Sequence, residues 1–205
     1  MKEVLDKFKE LSIETMFVVR GDAPTWDENY VADKDAFSYA SEMITFIKKD
    51  YDFCLGAGAY PEGHIEAESL DSDIEYLKLK VEKGAEYIVA QYFYDNQYFF
   101  NFVEKARKAG ITVPIVPGIM PIYTEKLMNN LAKVCGVTIV NEIREGLAKL
   151  PPEDSAAVSE FGLQFALKQC RDLLKNGVSG LHFYTMNRAK TVVSIVETLR
   201  GEGLL

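Results

Sequence analysis

Four short apolar runs in this chain each lead into residues whose types can do chemistry. Val18-Val19 is followed by Arg20-Gly21-Asp22, and Gly58-Ala59 by Tyr60, Glu62 and His64. Val89-Ala90 leads into Gln91 and Tyr92, and His182-Phe183 into Tyr184 and Arg188. If the runs are parallel strands, their C-terminal tips share one rim, and ligands collect on such rims. The tips then pool acids, histidines, an amide, arginines and tyrosines, an inventory that suits a large, polar, aromatic ligand handled by acid–base chemistry. Gly21 lets backbone approach a ligand, and an ionised Asp22 beside a ring would tune its electronics. Tyr60 can stack on a ring, and His64 can hydrogen-bond a ring or a phosphate. Gln91 presents a donor and an acceptor from one uncharged group, and Arg188 presents a charged fork. On sequence alone each also has a plainer reading: a loop acid capping the next element, a structural histidine, a surface arginine. No second histidine or cysteine stands at ligand spacing from His64, which argues against a metal centre. No GxGxxG, P-loop or nucleophile elbow is present; Gly56-Ala57-Gly58 lies inside a strand-like run rather than opening a helix.

The elements that would hold these tips alternate strictly. Val4, Leu5, Phe8 and Leu11 predict a helix over 1–11, and Thr15 to Val19 a strand. Phe37, Ala40, Ile44 and Ile47 stripe a second helix, followed by a strand from Phe53 to Ala59. Leu70, Ile74, Leu77 and Val81 mark a third helix, with Asp71 or Ser72 as its N-cap and Gly84 at its end. A strand from Tyr87 to Phe93 precedes a helix capped by Asn96 and stopped by Gly110. Val113 to Val116, bracketed by Pro114 and Pro117, predicts a short strand. A helix around Lys126 to Val134, irregular turns through Leu150, and a long helix opening near Pro152 or Glu153 complete a longer fifth unit. Gly180 to Tyr184 is the last strand and Lys190 to Leu199 the last helix. Five strands in βα alternation fit either an open doubly wound sheet or part of an eight-stranded barrel, and the pattern alone does not separate them.

The chain has 205 residues, 48% of them hydrophobic and 26% charged, enough for one domain with a sizeable core. The net charge of -8 argues against a nucleic-acid or anionic-membrane partner, both of which want a basic surface. No apolar run reaches the ~20 residues of a membrane helix. Cys54, Cys135 and Cys170 are odd in number and lack metal spacing, so free thiols and a reducing cytoplasm are expected.

In order along the chain, Arg20-Gly21-Asp22, Ala59-Tyr60-Pro61-Glu62-Gly63-His64 with Glu66-Ala67, Gln91-Tyr92-Phe93-Tyr94, Val113 to Pro121 and His182 to Arg188 resemble the methylenetetrahydrofolate reductase family. The likeness runs from about Lys2 to Arg200. It implies a partial (β/α)8 TIM barrel of about five parallel strands, in one domain over 1–205. It also implies a reductase that uses FAD, with NADH or NADPH as co-substrate, to convert 5,10-methylenetetrahydrofolate to 5-methyltetrahydrofolate in one-carbon and methionine metabolism. Residues matching the family's flavin contacts are Arg20, Gly21, Asp22, Tyr39, Ala40, Tyr60, His64, Asp73 and Lys80, with Asp22 also near the folate and catalytic. Gln91, Tyr184 and Arg188 match folate contacts. Where some members carry an amide and an arginine, this chain has Tyr76 and Leu79. Ala85 matches a position where a small residue matters for packing and flavin retention.

Family members begin with three further strands, the first bearing the general-acid glutamate. The resemblance starts after them and assigns no glutamate of this chain to that role. Two readings stay open: the larger part of a working reductase, completed by further chain, a homo-oligomer or another subunit, or an inactive flavin- or folate-binding remnant. An open α/β domain for another phosphate-bearing ligand is the third.

Overall fold

The computed structural model describes residues 1–21, 27 and 29–205. Its order is α1 (Lys2–Glu10), β1 (Thr15–Val18), α2 (Ala40–Asp50), β2 (Cys54–Ala59), α3 (Leu70–Glu82), β3 (Ala85–Tyr92), α4 (Asn96–Lys108), β4 (Ile115–Ile119), α5 (Glu125–Cys135), α6 (Asn141–Leu147), α7 (Ser155–Lys175), β5 (His182–Phe183) and α8 (Ala189–Gly201). All five strands are parallel and lie in the sheet in chain order, β1-β2-β3-β4-β5. That order decides between the two architectures left open by the pattern. A doubly wound sheet reverses its strand order midway to put helices on both faces; a sheet that never reverses keeps right-handed crossovers on one face and curls. The protein is therefore an arc of a (β/α) barrel.

Side chains pointing outward from the strands, among them Leu55, Ala57, Ile88, Ala90 and Ile119, are buried against Ile44, Ile47, Leu77, Phe102 and Ile195 of the surrounding helices. A second core of Tyr92, Tyr94, Met120, Ile122, Met128 and Ile143 lies under α5, α6 and α7. The inner face is built differently. The Tyr87 ring of β3 lies over Gly56 of β2, and its hydroxyl donates to the Met16 carbonyl of β1 at 3.2 Å. The Tyr184 ring, just past β5, lies over Gly118 of β4, and its hydroxyl donates to the Ala90 carbonyl of β3 at 3.3 Å. Each tyrosine thus reaches across a glycine on the neighbouring strand to the strand beyond, tying three strands into the curve. A Cβ at either glycine would occupy the space of the ring.

Several boundaries differ from the sequence reading for local reasons. Ser69 caps α3, its hydroxyl accepting from the Ser72 amide at 3.1 Å, so the cap precedes Asp71. Asp95 rather than Asn96 caps α4, accepting from the Gln97 amide at 2.9 Å. Asp154, two residues past the proline pair, caps α7. The second helix starts at Ala40, leaving Phe37 outside it. Most instructive is β4, which runs through Pro117 rather than stopping before it. Val116 pairs with Val89 and Gly118 with Tyr92, so Ala90 and Gln91 together stand opposite Pro117. The bulge falls where the proline has no N–H to give.

Candidate functional site

All five strand tips point to one rim, and a cleft of about 470 Å³ opens there above β1 and β2, against α2 and α3. Arg20, Tyr39, Ala40, Tyr60, His64, Asp73 and Lys80 line it together. The Tyr60 and His64 rings meet edge to face with centroids 4.5 Å apart. The loop carrying them is pinned from below: Asp73 on α3 is buried, and its carboxylate accepts from the His64 backbone amide at 3.1 Å. Burial pushes the Asp73 carboxyl up, against the pull of that amide and of Lys80. Lys80, two turns along the same helix, donates to the Gly58 carbonyl at 2.9 Å. Burial pushes its ammonium down, partly offset by Asp73. Gly58 leaves room beside it, since a Cβ there would touch only the end of the Phe17 ring at 3.9 Å. Arg20 pairs with Glu66 at 2.8 Å across the mouth, joining the β1 tip to the β2–α3 loop.

Gly21 is exposed and does not line the cleft, and Asp22 lies outside the described residues. Gln91, Tyr184 and Arg188 do not line it either; they stand along the rim at the β3 and β5 tips. The groups adjoin, because Tyr60 lies close enough to Tyr184 to affect it. Tyr184 is pushed up to about 12, by burial first and by Tyr60 second. Gln91 sits in the bulge, with its side-chain oxygen accepting from the Tyr92 amide at 3.1 Å. Arg188 lies over the Tyr123 ring at 5.4 Å. His182 is exposed and meets Tyr184 edge to face.

Further cleft residues are Ser41, Glu66, Ala67, Tyr76 and Leu79. Glu66-Ala67 carried a signal, standing in the motif after His64. Tyr76 and Leu79 mark positions where the sequence departs from some family members, and both are partly exposed, so this wall of the cleft is apolar. Glu62, between Tyr60 and His64, turns elsewhere. Its carboxylate accepts from the Thr138 amide at 3.1 Å beyond α5, and burial pushes its pKa up.

The profile of the family described as methylenetetrahydrofolate reductase matches residues 1–200. The chain belongs to that family. It is 39% identical over 95% of its length to methylenetetrahydrofolate reductase 1 of Schizosaccharomyces pombe, covering 32% of that protein. It is 36% identical to methylenetetrahydrofolate reductase (NADH) 1 of Arabidopsis thaliana, covering 35% of it. It is 35% identical to the probable methylenetetrahydrofolate reductase (NADPH) of Caenorhabditis elegans, covering 29% of it. In each case 95% of this chain is matched, so the chain spans about a third of the length of these relatives. Among the described residues no helix is long and apolar enough to cross a membrane, and no cluster of three or more His, Cys, Asp or Glu could hold a metal ion.

Proposed function

We propose that this chain forms the flavin- and folate-binding rim of a cytoplasmic methylenetetrahydrofolate reductase of one-carbon and methionine metabolism. The observation that carries the reading is the convergence of Arg20, Tyr39, Ala40, Tyr60, His64, Asp73 and Lys80 on one cleft at the C-terminal rim. They come from four separate stretches of chain, and their chemistry fits FAD. Lys80 and Arg20 answer the pyrophosphate charge; Asp73, Glu66 and Ser41 can accept from or donate to hydroxyls; Tyr60 and Tyr39 offer rings. Gly58 lets the ligand come against the strand backbone. When bound, the flavin supplies hydride transfer between NADH or NADPH and the folate.

What this chain adds is binding and orientation. Tyr60 and His64, fixed by the Asp73 bond, orient the ring system. Asp22, which matches a family residue near the flavin, is read as supplying negative charge to the ring. Gln91 offers amide donor and acceptor to the pterin edge, Tyr184 an aromatic wall, and Arg188 a cationic fork for carboxylate or carbonyl oxygen. No glutamate of this chain takes the general-acid role. A homo-oligomer or a further polypeptide segment alongside the sheet edges would complete the enzyme. Neither nucleic acid nor a membrane is a partner in this reading.

Titrating purified protein with FAD tests the reading. Flavin should bind and be bleached by NADH or NADPH, and Lys80→Met should weaken binding. Protein that takes up no flavin in either the chain or the full-length enzyme would sink it. Flavin uptake without nicotinamide-driven bleaching in the full-length enzyme would instead favour an inactive binding remnant.

A further inference from the structure

We infer that Gln169, on α7 behind the sheet, is a positioning residue that sets Gln91 at the rim. The inference rests on the reading that Gln91 meets the folate. Gln91 lies in the β3 bulge, where two residues of β3 face Pro117 alone and the ladder to β4 skips them; toward β2, Ala90 still pairs with Ala59 and Gln91 lies just beyond the last pair. Three other hydrogen bonds define the backbone there. From the inner face, Tyr184 donates to the Ala90 carbonyl at 3.3 Å. Within the bulge, the Gln91 side-chain oxygen accepts from the Tyr92 amide at 3.1 Å. From the helix layer, the Gln169 side-chain nitrogen donates to the Phe93 carbonyl at 2.8 Å.

Gln169 is only 6% exposed, and among the described residues it and Asp73 are the two buried polar side chains. A buried amide is costly unless bonded, and this one spends its donor on the peptide two residues beyond Gln91 rather than on its own helix. The same stretch of α7 holds the next turn of chain. Asn96 donates to the Gln169 carbonyl at 3.1 Å and to the Asp172 carboxylate at 2.7 Å. Residues 93 to 96 are therefore clamped to α7 at both ends. With one lone pair of its oxygen taken by the Tyr92 amide, Gln91 is held in place and keeps its amide nitrogen and the second lone pair for a ligand. The parallel with Asp73 is direct: each buried polar side chain reaches one rim loop, Asp73 the loop of His64 and Gln169 the loop after Gln91.

The test uses the full-length holoenzyme. Gln169→Met keeps the side-chain length and loses the donor. It should raise the folate dissociation constant about tenfold, while flavin content and the rate of flavin reduction by nicotinamide stay at wild-type values. Because Gln169 acts through Gln91, Gln91→Ala and the double variant should bind folate equally weakly. Gln169→Glu, of the same size, gives the same cycle should the methionine variant fold poorly. Additive losses in the double variant, or wild-type folate affinity in Gln169→Met, would overturn the assignment while leaving Gln91 as a folate contact. Unchanged affinity in Gln91→Ala would instead refute the role of Gln91, and the positioning role with it.

Discussion

Above β1 and β2 the rim is open, whereas above β4 and β5 it is filled, and glycine serves opposite ends in the two places. At Gly58 the missing side chain leaves free volume that belongs to the cleft. At Gly118 the missing side chain is replaced at once by the Tyr184 ring and the Ala90 carbonyl. The open side is lined by charged and polar groups bonded to backbone of the strand tips and loops, such as Lys80 to Gly58 and Asp73 to His64. The filled side is a packed core of tyrosines and aliphatic residues under three helices. A ligand can therefore be bound on one side with little rearrangement, while the other fixes the geometry of the strand tips.

The two glycines should differ most sharply when a side chain is added. Gly118→Val would drive a side chain into the Ala90 carbonyl oxygen, backbone that cannot swing aside, and should cost about 3 kcal/mol, read as a shift in the urea midpoint. Gly58→Ala meets only ordinary contact with Phe17 and should change stability by no more than about 0.5 kcal/mol while narrowing the cleft. Equal losses at both positions would mean that the two glycines serve the same end.

Next in size is Lys80→Met. Removing the cation that reaches the Gly58 carbonyl should weaken flavin binding about tenfold, measured by fluorescence quenching, with circular dichroism unchanged. Tyr184→Phe, on the filled side, should cost about 1 kcal/mol in stability by leaving the Ala90 carbonyl without its inner-face donor. A Tyr184→Phe protein as stable as the parent would mean that the ring on Gly118, not the hydroxyl, ties the strands.

How much of this could be read from the sequence follows the same divide. Alternation of apolar runs with amphipathic helices placed the five strands and every helix but α6, which lies in the stretch read as irregular turns, because periodicity reports burial directly and that short helix carries little of it. Arg20, Tyr60 and His64 of the open cleft were legible in the pattern, since each follows a strand tip and carries a polar group with no structural task evident there; Tyr39, Ala40, Asp73 and Lys80, at the start of α2 or on α3, were legible only through the family resemblance. The curl of the sheet was legible only through the family resemblance, because strand order is set by crossovers that leave no periodic trace. The bulge at Gln91 was hidden for a related reason: Pro117 reads as a strand terminator until the partner strand is known to yield opposite it. Gln169 was equally invisible, a polar residue on a long helix whose partner lies 76 positions away. The Tyr87 and Tyr184 ties depend on glycines of other strands and could not be foreseen one segment at a time.

Acid titration sharpens the account of the open side. The Asp73 carboxyl is raised in the folded protein by burial, so the folded state binds its proton more tightly than the unfolded chain does. Its contribution to stability is then present below the usual carboxylate pKa and is lost as pH rises through the raised folded value. Asp73→Asn keeps an oxygen for the His64 amide and removes the titration. The variant should therefore lose less stability than the parent between strongly acidic and neutral pH, followed by denaturant midpoints across that range. The same change removes the charge that props up Lys80, whose ammonium should fall further below its usual range. A parent and variant with parallel stability profiles would show that Asp73 is solvated rather than buried.

The smallest effect is expected at the mouth of the cleft, where Arg20 and Glu66 pair at 2.8 Å. Glu66 is 61% exposed, and an ion pair so open to water contributes a few tenths of a kcal/mol at most, less in salt. Glu66→Gln should leave the thermal midpoint nearly unmoved. Its effect belongs instead to binding, because the change takes one negative charge off the wall of the cleft. Flavin affinity should hold or rise slightly at low ionic strength, and the difference from the parent should vanish as salt is added. A stability loss above about 1 kcal/mol would mean that the pair is part of the framework, and that the open side of the rim is built as firmly as the filled one.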